Sequence, residues 1–259
     1  MADPDASLKS TTRFSDRVDD YVRFRPDYPS ALLEWLQCEQ GVDASWQVAD
    51  VGAGTGISSK MFLDAGYQVT AVEPNAPMRS AAMQWLRDYP RFDAIDGRAD
   101  ATGLADASVD LVTVAQAFHW FDEAVARREF ARILRPGGLV AIWWNSRRLA
   151  GTRFLEGYEA LLKAFGTDYC SVAERYADDA RMREWFGAGF QGAASFAHGQ
   201  KLDFEALRGR LMSSSYAPQA GHPKHLPMLH ALRELLDDCA EHGTINFDYD
   251  TRIFVGQRV

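Results

Sequence analysis

Cysteine is scarce in this sequence, and long apolar runs are absent from it. The chain of 259 residues has three cysteines, Cys38, Cys170 and Cys239, which lie far apart and form no C-x-x-C pair. We therefore expect neither a disulfide framework nor a zinc site, and a reducing cytoplasm suits the chain best. No apolar run approaches the roughly 20 residues that cross a bilayer, and residues 1–5 lack the pattern of an export signal. We expect no membrane partner.

Positive charge is also in deficit. The 36 acidic residues outnumber the 28 basic ones, which gives a formal net charge of −8. Such a chain repels a phosphate backbone, so we expect no nucleic-acid partner. Three histidines, His222, His225 and His230, follow no metal-ligand spacing, so we expect no metal. With 47% apolar and 12% aromatic residues, the chain can bury a large globular core.

Residues 47–145 alternate short apolar runs with helical patterns, which is typical of βαβ units and a parallel sheet. The predicted strands lie at Val48–Val51, Gln68–Val72, Phe92–Ile95, Val109–Ala115 and Leu139–Trp144. The predicted helices lie at Ile57–Leu63, from the N-cap Asn75 to Leu86, and at Ala124–Leu134, with Arg135–Gly138 as the turn into the fifth strand. Five strands of a βα series are therefore in place by residue 145.

The flanking segments are less regular. Two helices are predicted before residue 47, one with Phe14, Val18, Tyr21 and Val22 on one face and one that Pro29 opens and Gly41 ends. After residue 145 the patterns predict helices at 154–165, 203–212 and 225–241, a strand near Ala193–Ala197, and a final antiparallel edge strand in the alternation of Phe247–Val255.

A glycine-rich turn, Asp50–Gly56, follows the first predicted strand. The missing side chains of Gly52, Gly54 and Gly56 let the backbone turn tightly and approach a ligand closely. Glu73 caps the second strand, where a carboxylate can accept hydrogen bonds from both hydroxyls of a ribose. A glycine turn alone can be a plain connection, but here the strand context, three glycines and Glu73 coincide. The pattern therefore predicts a ligand-binding loop.

These residues resemble the motifs of the class I methyltransferases that depend on S-adenosylmethionine (SAM). Asp50–Gly56 matches the family's first motif and Glu73 its second-strand acid, and the resemblance continues in Gly97–Ala101, Val109–Val112 and Leu134–Gly138. It implies SAM as the cofactor, S-adenosylhomocysteine (SAH) as the product, and Asp100 against the adenine amino group. The implied cofactor-binding residues are Asp50, Gly52, Ala53, Gly54, Gly56, Glu73, Pro74, Asp100, Ala101 and Gln116.

Two further stretches, Tyr21–Pro29 and Gln116–Phe121, resemble small-molecule methyltransferases similar to the trans-aconitate enzymes. In that subgroup the N-terminal helix folds over the cofactor, which implies that Tyr21 and Arg25 shield SAM. An aromatic residue at helical spacing, such as Tyr21, equally often packs on the core. The resemblance also implies a small-molecule acceptor that offers a carboxylate or a hydroxyl.

Pattern and resemblance together predict an α/β fold with a Rossmann-like, doubly wound, mostly parallel sheet of about seven strands, the last one antiparallel. We expect a single methyltransferase domain over residues 1–259. It divides into an N-terminal helical lid (1–46), a SAM-binding core (47–145) and acceptor-side helices and strands (146–259), with a helical insertion before the last strand. The oligomeric state leaves no pattern in the sequence.

The candidate catalytic residues follow the fourth strand at its carboxyl end, the edge where open α/β sheets bind ligands. They are Gln116, His119 and Trp120. His119 is the candidate base because imidazole takes up a proton near neutral pH, and a structural or substrate-lining role is its alternative. A carboxylate acceptor is already ionised at pH 7 and needs no base.

The acceptor candidates are Trp144, Asn145, Arg147 and Tyr216. Arg147 and Arg148 follow the fifth strand, where guanidinium groups can hold carboxylates, although adjacent surface arginines are more often solvated. Trp143 and Trp144 point to opposite faces of a strand, so one is expected to pack under a helix while the other can line a cavity.

Two other functions compete with methyl transfer. A noncatalytic SAM-binding protein would keep the same glycine turn, because a fold does not fix an activity. An NAD(P)-dependent Rossmann oxidoreductase is disfavoured, because the glycines run G-x-G-x-G with Asp50 upstream rather than G-x-G-x-x-G.

Replacement of His119 by alanine is expected to impair turnover more than cofactor binding, because the residue is predicted to face the methyl group rather than the nucleoside. SAH release measures the first effect, and calorimetric titration with the cofactor measures the second. Equal loss of both would place His119 in the cofactor site instead.

Overall fold

A computed structural model describes residues 22–169 and 179–257 of the chain. Residues 22–24 are helical, but the rest of the first predicted helix, including Tyr21, lies outside the described residues. None of the helices within the described ranges is long and apolar enough to span a membrane.

The strands follow the predicted order, and the last three are longer than expected. They are β1 Gln47–Val51, β2 Gln68–Val72, β3 Phe92–Ile95, β4 Val109–Ala115, β5 Leu134–Arg147, β6 Phe190–Leu202 and β7 Ile245–Gln257.

The α-helices surround these strands and match the predicted spans within a few residues, except for one that the sequence patterns did not indicate, Asp179–Phe186. They are α1 Ser30–Gln40, α2 Ile57–Asp64, α3 Ala76–Trp85, α4 Glu123–Ile133, α5 Arg153–Phe165, α6 Asp179–Phe186, α7 Phe204–Met212 and α8 His225–Cys239.

The seven strands form one sheet in the order β3-β2-β1-β4-β5-β7-β6. The pairings among β1–β5 are all parallel, whereas β7 runs antiparallel to both β5 and β6. The predicted doubly wound sheet with an antiparallel last strand is therefore confirmed. The prediction that β7 is an edge strand is wrong, because β7 is hydrogen-bonded on both sides and the outer position belongs to β6.

Strand β5 also differs from its predicted extent. The predicted turn Arg135–Gly138 is part of the strand, as an irregularity between the pairs Val109–Leu134 and Leu111–Leu139. Gly137 has φ +84° there, a conformation that suits glycine. At its other end, β5 continues past the last pair with β4, Ala115–Trp143, and so projects beyond the carboxyl edge of the parallel sheet.

Two apolar clusters cover the two faces of the sheet. One face packs on α4 and α6 through buried residues that include Phe130, Trp144 and Trp185, and the other packs on α1 and α2 through Leu36, Phe62 and Trp143. Burial on both faces explains why β1, β2 and β4 are short, mostly apolar runs in the sequence.

A third cluster lies where β6 and β7 extend past β5. Helices α5, α7 and α8 pack there on Leu202, Ile245, Phe247 and Tyr249. This cluster includes the helical insertion expected before the last strand, and it lies at the carboxyl end of β5 because β7 runs in the opposite direction.

A buried carboxylate ties α4 to the loop after β3. Glu129 accepts hydrogen bonds from the Thr102 backbone N–H at 2.8 Å and from its hydroxyl at 2.6 Å, and the Arg132 guanidinium donates to both of its oxygens. The Arg132 contact, followed by those of Thr102, lowers the pKa of Glu129 to about 2 against the cost of burial. The ionised form therefore stabilises the fold.

The Glu129→Gln variant is expected to lose about 1–3 kcal/mol of unfolding free energy at pH 7, because charge-assisted hydrogen bonds become neutral ones. Folding lowers the pKa of Glu129, so the difference in unfolding free energy between wild type and variant should persist above pH 4.5. It should shrink as the pH falls toward 2. Denaturant unfolding of both proteins across this pH range measures it, with the exposed Glu34→Gln as control. A pH-independent difference would contradict the assignment.

Candidate active site

The glycine turn lies between β1 and α2 with all three glycines in the left-handed region. The φ angles are +73° at Gly52, +58° at Gly54 and +88° at Gly56. A Cβ atom on Gly52 would lie 2.7 Å from the Ala117 Cβ, and one on Gly56 would lie 2.7 Å from Leu86 Cδ1, whereas one on Gly54 would meet nothing closer than a sulfur at 3.8 Å. The outer glycines are therefore packed tightly against protein, whereas an added carbon on Gly54 would make only an ordinary contact with Met78.

Asp50 holds the turn in place from below. Its carboxylate is fully buried and accepts hydrogen bonds from the hydroxyls of Ser58 and Ser59, both at 2.6 Å, and of Thr113 at 3.0 Å. Burial raises the pKa of Asp50, against the opposing effect of these hydroxyls. All these bonds come from α2 and β4, so Asp50 positions the turn, and its predicted contact with a ligand stays a prediction.

Glu73 joins two loops at the carboxyl edge of the sheet. Its Oε2 accepts a hydrogen bond from the Gly54 N–H and its Oε1 one from the Asn75 N–H, each at 2.8 Å. Burial raises the pKa of the carboxyl, and the two N–H groups oppose that effect. Pro74 lies in the chain between Glu73 and Asn75. The Asn75 side chain caps α3, as predicted, by accepting a hydrogen bond from the Met78 N–H at 3.0 Å. Glu73 therefore contacts the glycine turn, the other part of the predicted ligand-binding site.

The loop after β3 presents Asp100 at the surface. Arg98 and Ala101 exchange backbone hydrogen bonds of 3.0 Å, which closes a tight turn around Asp100. The Asp100 carboxylate is 39% exposed and pairs with the Arg98 guanidinium, with 2.9 Å between Oδ1 and Nε. Asp100 therefore lies on the loop that follows the strand next to Glu73, in a position that an incoming group can reach.

The segment after β4 contains the predicted catalytic residues. Gln116 has φ +59°, an unusual conformation for a residue with a side chain and one that clusters at functional sites. Its N–H donates to Trp143 O at 3.0 Å and its Nε2 to Asn145 O at 3.3 Å. Residues 118–120 form one turn of 3-10 helix, in which the rings of His119 and Trp120 lie 4.7 Å apart.

This segment packs directly on the glycine turn, because Ala117 and Phe121 are the neighbours that a Cβ on Gly52 would meet. The structure therefore brings the ends of β1, β2, β3 and β4 to one edge, with the predicted cofactor residues on the first three and Gln116, His119 and Trp120 on the fourth.

Residues 24–28 cross the carboxyl edge of β5. Asp27 O accepts a hydrogen bond from Asn145 Nδ2 at 2.9 Å, and the Asp27 carboxylate lies 2.9 Å from His198 Nε2 on β6. The Arg25 guanidinium donates to Ser213 O at 2.8 Å, beyond α7. The segment predicted as part of a lid therefore contacts β5, β6 and α7, and the predicted contact of Arg25 with a cofactor stays a prediction.

Among the acceptor candidates, Asn145 lies within this network. It is 7% exposed, and its Oδ1 accepts a hydrogen bond from the Thr251 hydroxyl at 2.6 Å. The structure corrects the expectation that Trp144 lines the acceptor cavity. Its indole packs in the core between Phe118 and Phe254, with ring centroids 6.2 and 6.3 Å away. Trp143 is fully buried on the other face, so both tryptophans pack under helices.

The structure also corrects the expectation for Arg147. The sequence favoured a solvated arginine, but the side chain is only 10% exposed and forms an ion pair with Glu159 on α5. It also donates to the Tyr169 hydroxyl at 2.8 Å and lies over the Tyr158 ring. The Tyr216 ring lies edge-on to that of Tyr169, 5.0 Å away. The end of β5 is thus lined by arginine and tyrosine side chains.

The described residues contain no group of three or more histidine, cysteine, aspartate or glutamate side chains that could hold a metal ion. The histidines of α8 and the preceding loop make single local contacts instead, as with His225 Nδ1 at 2.8 Å from Pro218 O.

Sequence reasoning missed the residues that support the site from beneath. Ser58, Ser59 and Thr113 complete the shell around Asp50, and the two adjacent serines after the glycine turn were the available signal. Arg210 and Tyr249 were also missed, because their partners lie far away in the sequence and neither belongs to a local motif.

The geometry accords with comparisons to known proteins. A family model of the methyltransferase domain matches residues 49–142. The matched segment contains the glycine turn, Glu73, Asp100 and the whole segment after β4, which are the residues gathered at the carboxyl edge.

Curated proteins similar to this chain are also named as methyltransferases. An uncharacterized methyltransferase of Mycobacterium tuberculosis is 41% identical over 134 residues, 52% of each chain. One of Schizosaccharomyces pombe is 35% identical over 135 residues, 52% of this chain and 53% of the other. The chain spans about half the length of the curated relatives it matches.

Solved structures share the fold over most of the chain. One named as a type II methyltransferase from Anaeromyxobacter dehalogenans has a TM-score of 0.69 at 23% identity, covering 91% of this chain and 99% of the other. A Haemonchus contortus phosphoethanolamine N-methyltransferase, solved with SAH, has a TM-score of 0.58 at 14% identity, covering 97% and 59%. At these identities the likeness establishes the fold.

The Asp50→Ala variant is expected to lose about 2–4 kcal/mol of unfolding free energy, because three buried hydroxyls lose their acceptor. Denaturant unfolding measures the loss, and the exposed Asp88→Ala is the matched control. If Asp50 positions the turn, Asp50→Asn should recover part of the stability, since an amide oxygen can still accept. Wild-type stability in Asp50→Ala would contradict the role.

Proposed function

We propose that the protein is a SAM-dependent methyltransferase that acts on a small-molecule acceptor and releases SAH. The observation that carries the proposal is the pair formed by Glu73 and the Gly54 N–H, with 2.8 Å between oxygen and nitrogen. It places a carboxylate against the open centre of a glycine turn, at the edge where α/β sheets bind nucleotides.

The residues at this edge fit the parts of a nucleoside-bearing cofactor. Gly54 leaves the space that an added side chain would fill, so the backbone can approach the amino-acid part of SAM. Each Glu73 oxygen keeps a second lone pair that can accept from a ribose hydroxyl, and Asp100, on the next loop, would accept from the adenine amino group. Pro74 and Ala101 would flank the rings, and Gly52, Ala53 and Gly56 would shape the turn.

Bound SAM supplies a methyl group that its sulfonium has already activated for transfer. The protein then has to hold the acceptor in line with that group and exclude water. Gln116, His119 and Trp120 lie next to the turn and would face the reacting atoms. Residues 24–28 cross the same end of the sheet, so Arg25, and Tyr21 before it, would close the site.

A carboxylate is the acceptor that the subgroup resemblance favours, with a hydroxyl as the alternative. A carboxylate needs no base, because it is ionised at pH 7, whereas a hydroxyl would have to lose its proton to a group such as His119. No feature favours a nucleic acid, since the chain carries a net charge of −8.

Support for the proposal comes from the methyltransferase domain match and from the fold shared with the Haemonchus contortus enzyme, which was solved with SAH. The competing function is a noncatalytic SAM-binding protein. An oxidoreductase has no support among the relatives described above, which are named methyltransferases.

Calorimetric titration with SAM and SAH tests the proposal. The wild type is expected to bind both, while Gly54→Arg, which fills the turn, and Glu73→Ala, which removes the carboxylate, each weaken binding by about tenfold or more. Glu39→Ala, an exposed carboxylate on α1, is the matched control and should leave both affinities unchanged.

The outcomes separate the two functions. No binding of SAM or SAH by the folded wild type would refute the cofactor assignment, and unchanged affinity in both variants would refute the site. Binding without SAH release across a broad panel of small acceptors, including trans-aconitate, would favour the noncatalytic protein.

A further inference from the structure

Arg210 is a buried cation on the last turn of α7. The residue is 7% exposed. Its Nε donates to the Tyr249 hydroxyl at 3.0 Å and its Nη1 to the Ser214 hydroxyl at 3.1 Å, and its guanidinium carbon lies 5.7 Å from the centre of the Phe247 ring. A guanidinium has five N–H donors, so several of them have no hydrogen-bond partner among the described residues.

No carboxylate within residues 22–169 and 179–257 forms an ion pair with Arg210. The contrast with Arg147 is direct, because that equally buried arginine pairs with Glu159. Burial of an unpaired charge is strongly unfavourable, and a contact with an aromatic ring offsets only part of that cost. The neighbouring tyrosines are neutral at pH 7, so the described residues around Arg210 do not balance its positive charge.

Arg210 lies close to the site in the fold. The Tyr249 hydroxyl that it contacts belongs to the residue paired with Arg147 at the end of β5. Thr251 is two residues further along the same face of β7, about 7 Å away, and it holds the Asn145 side chain. Asn145 O in turn accepts from Gln116, at the end of β4.

A second line of contacts connects α7 to residues 24–28. Phe24 packs on Gly209, where even a single added carbon would overlap its ring. Gln200 bridges the Phe24 carbonyl and the Tyr249 hydroxyl. Arg25 donates to Ser213 O, three residues beyond Arg210. The segment that crosses the carboxyl edge therefore rests against the turn of α7 that carries the unbalanced charge.

We propose that Arg210 is the carboxylate-binding residue of the acceptor site, and that the acceptor is an anion held by this guanidinium. The proposal rests on the function proposed above. A bidentate pair would supply the missing negative charge and use the donors that the protein leaves unpaired. Tyr249 and Ser214 already fix the guanidinium through its other donors, so the fork is oriented before the acceptor arrives.

The carboxylate that Arg210 holds differs from the group that accepts the methyl. A carboxylate bound bidentately gives electron density to the guanidinium and becomes a poorer nucleophile. The held carboxylate is therefore not the group that attacks the methyl carbon. The acceptor class is a carboxylate with a second nucleophilic group, either another carboxylate or a hydroxyl, and Arg210 is a positioning and specificity residue.

Direct binding tests the proposal without knowledge of the natural acceptor. The SAH-saturated protein is titrated with hexanoate, benzoate, succinate and tricarballylate, and in parallel with the uncharged amide of each. The wild type is expected to bind at least one carboxylate in preference to its amide. Arg210→Gln should weaken that binding by about 10- to 100-fold, and Arg210→Lys should recover only part of it, because lysine lacks the bidentate fork.

The control is Arg208→Gln, an exposed arginine on the same helix, which should bind the carboxylate as the wild type does. SAH affinity measured on every variant reports the fold and the cofactor site. Intact SAH binding with no preference for any carboxylate over its amide would overturn the proposal and leave the proposed function standing. The same holds if Arg210→Gln keeps the wild-type preference. Failure of the wild type to bind SAH would refute the proposed function instead.

Discussion

The contact between the Glu73 carboxylate and the backbone of the glycine turn is the interaction on which the rest of the site depends. It requires β1 and β2 to be parallel neighbours, so that the turn after one strand faces the residue that ends the next. It also requires φ angles that only glycine adopts readily, at a place where Ala117 and Leu86 leave no room for side chains. Asp50 supports the turn from the buried side. Asp50 therefore fixes the turn from inside the fold, and Glu73 contacts it at the edge where the ligand is proposed to bind.

The sequence predicted the parallel half of the fold closely, and the reason is physical. Strands β1, β2 and β4 are mostly buried, so each appears as a short, mostly apolar run between helix signals, and the Asn75 cap follows from a local hydrogen bond. The position of β7 could not be predicted in this way. Its alternation of buried and half-buried residues looks the same in an edge strand and in one covered by β6, and only the pairing of distant strands decides between them.

The candidate site shows the same division. The glycine turn, Glu73, Asp100 and Gln116 lie in consecutive βα units, so local spacing predicts that they meet. The acceptor side is built from contacts across the chain, such as Arg147 with Glu159 and Arg210 with Tyr249. Whether an arginine that follows a strand is solvated or paired depends on a helix that packs against it later. The sequence therefore indicated a solvated Arg147 where the structure has an enclosed ion pair, and it assigned Trp144 to a cavity where the structure has core.

The central claim is that this edge of the sheet holds the nucleoside of SAM, with Glu73 on its ribose. A crystal structure of the protein grown with SAH tests it most directly. The account predicts that both Glu73 oxygens lie within hydrogen-bonding distance of the ribose hydroxyls, with the amino-acid part over Gly54 and the adenine next to Asp100. SAH bound elsewhere, or bound here with Glu73 still on the Gly54 and Asn75 N–H groups and away from the ribose, would contradict it.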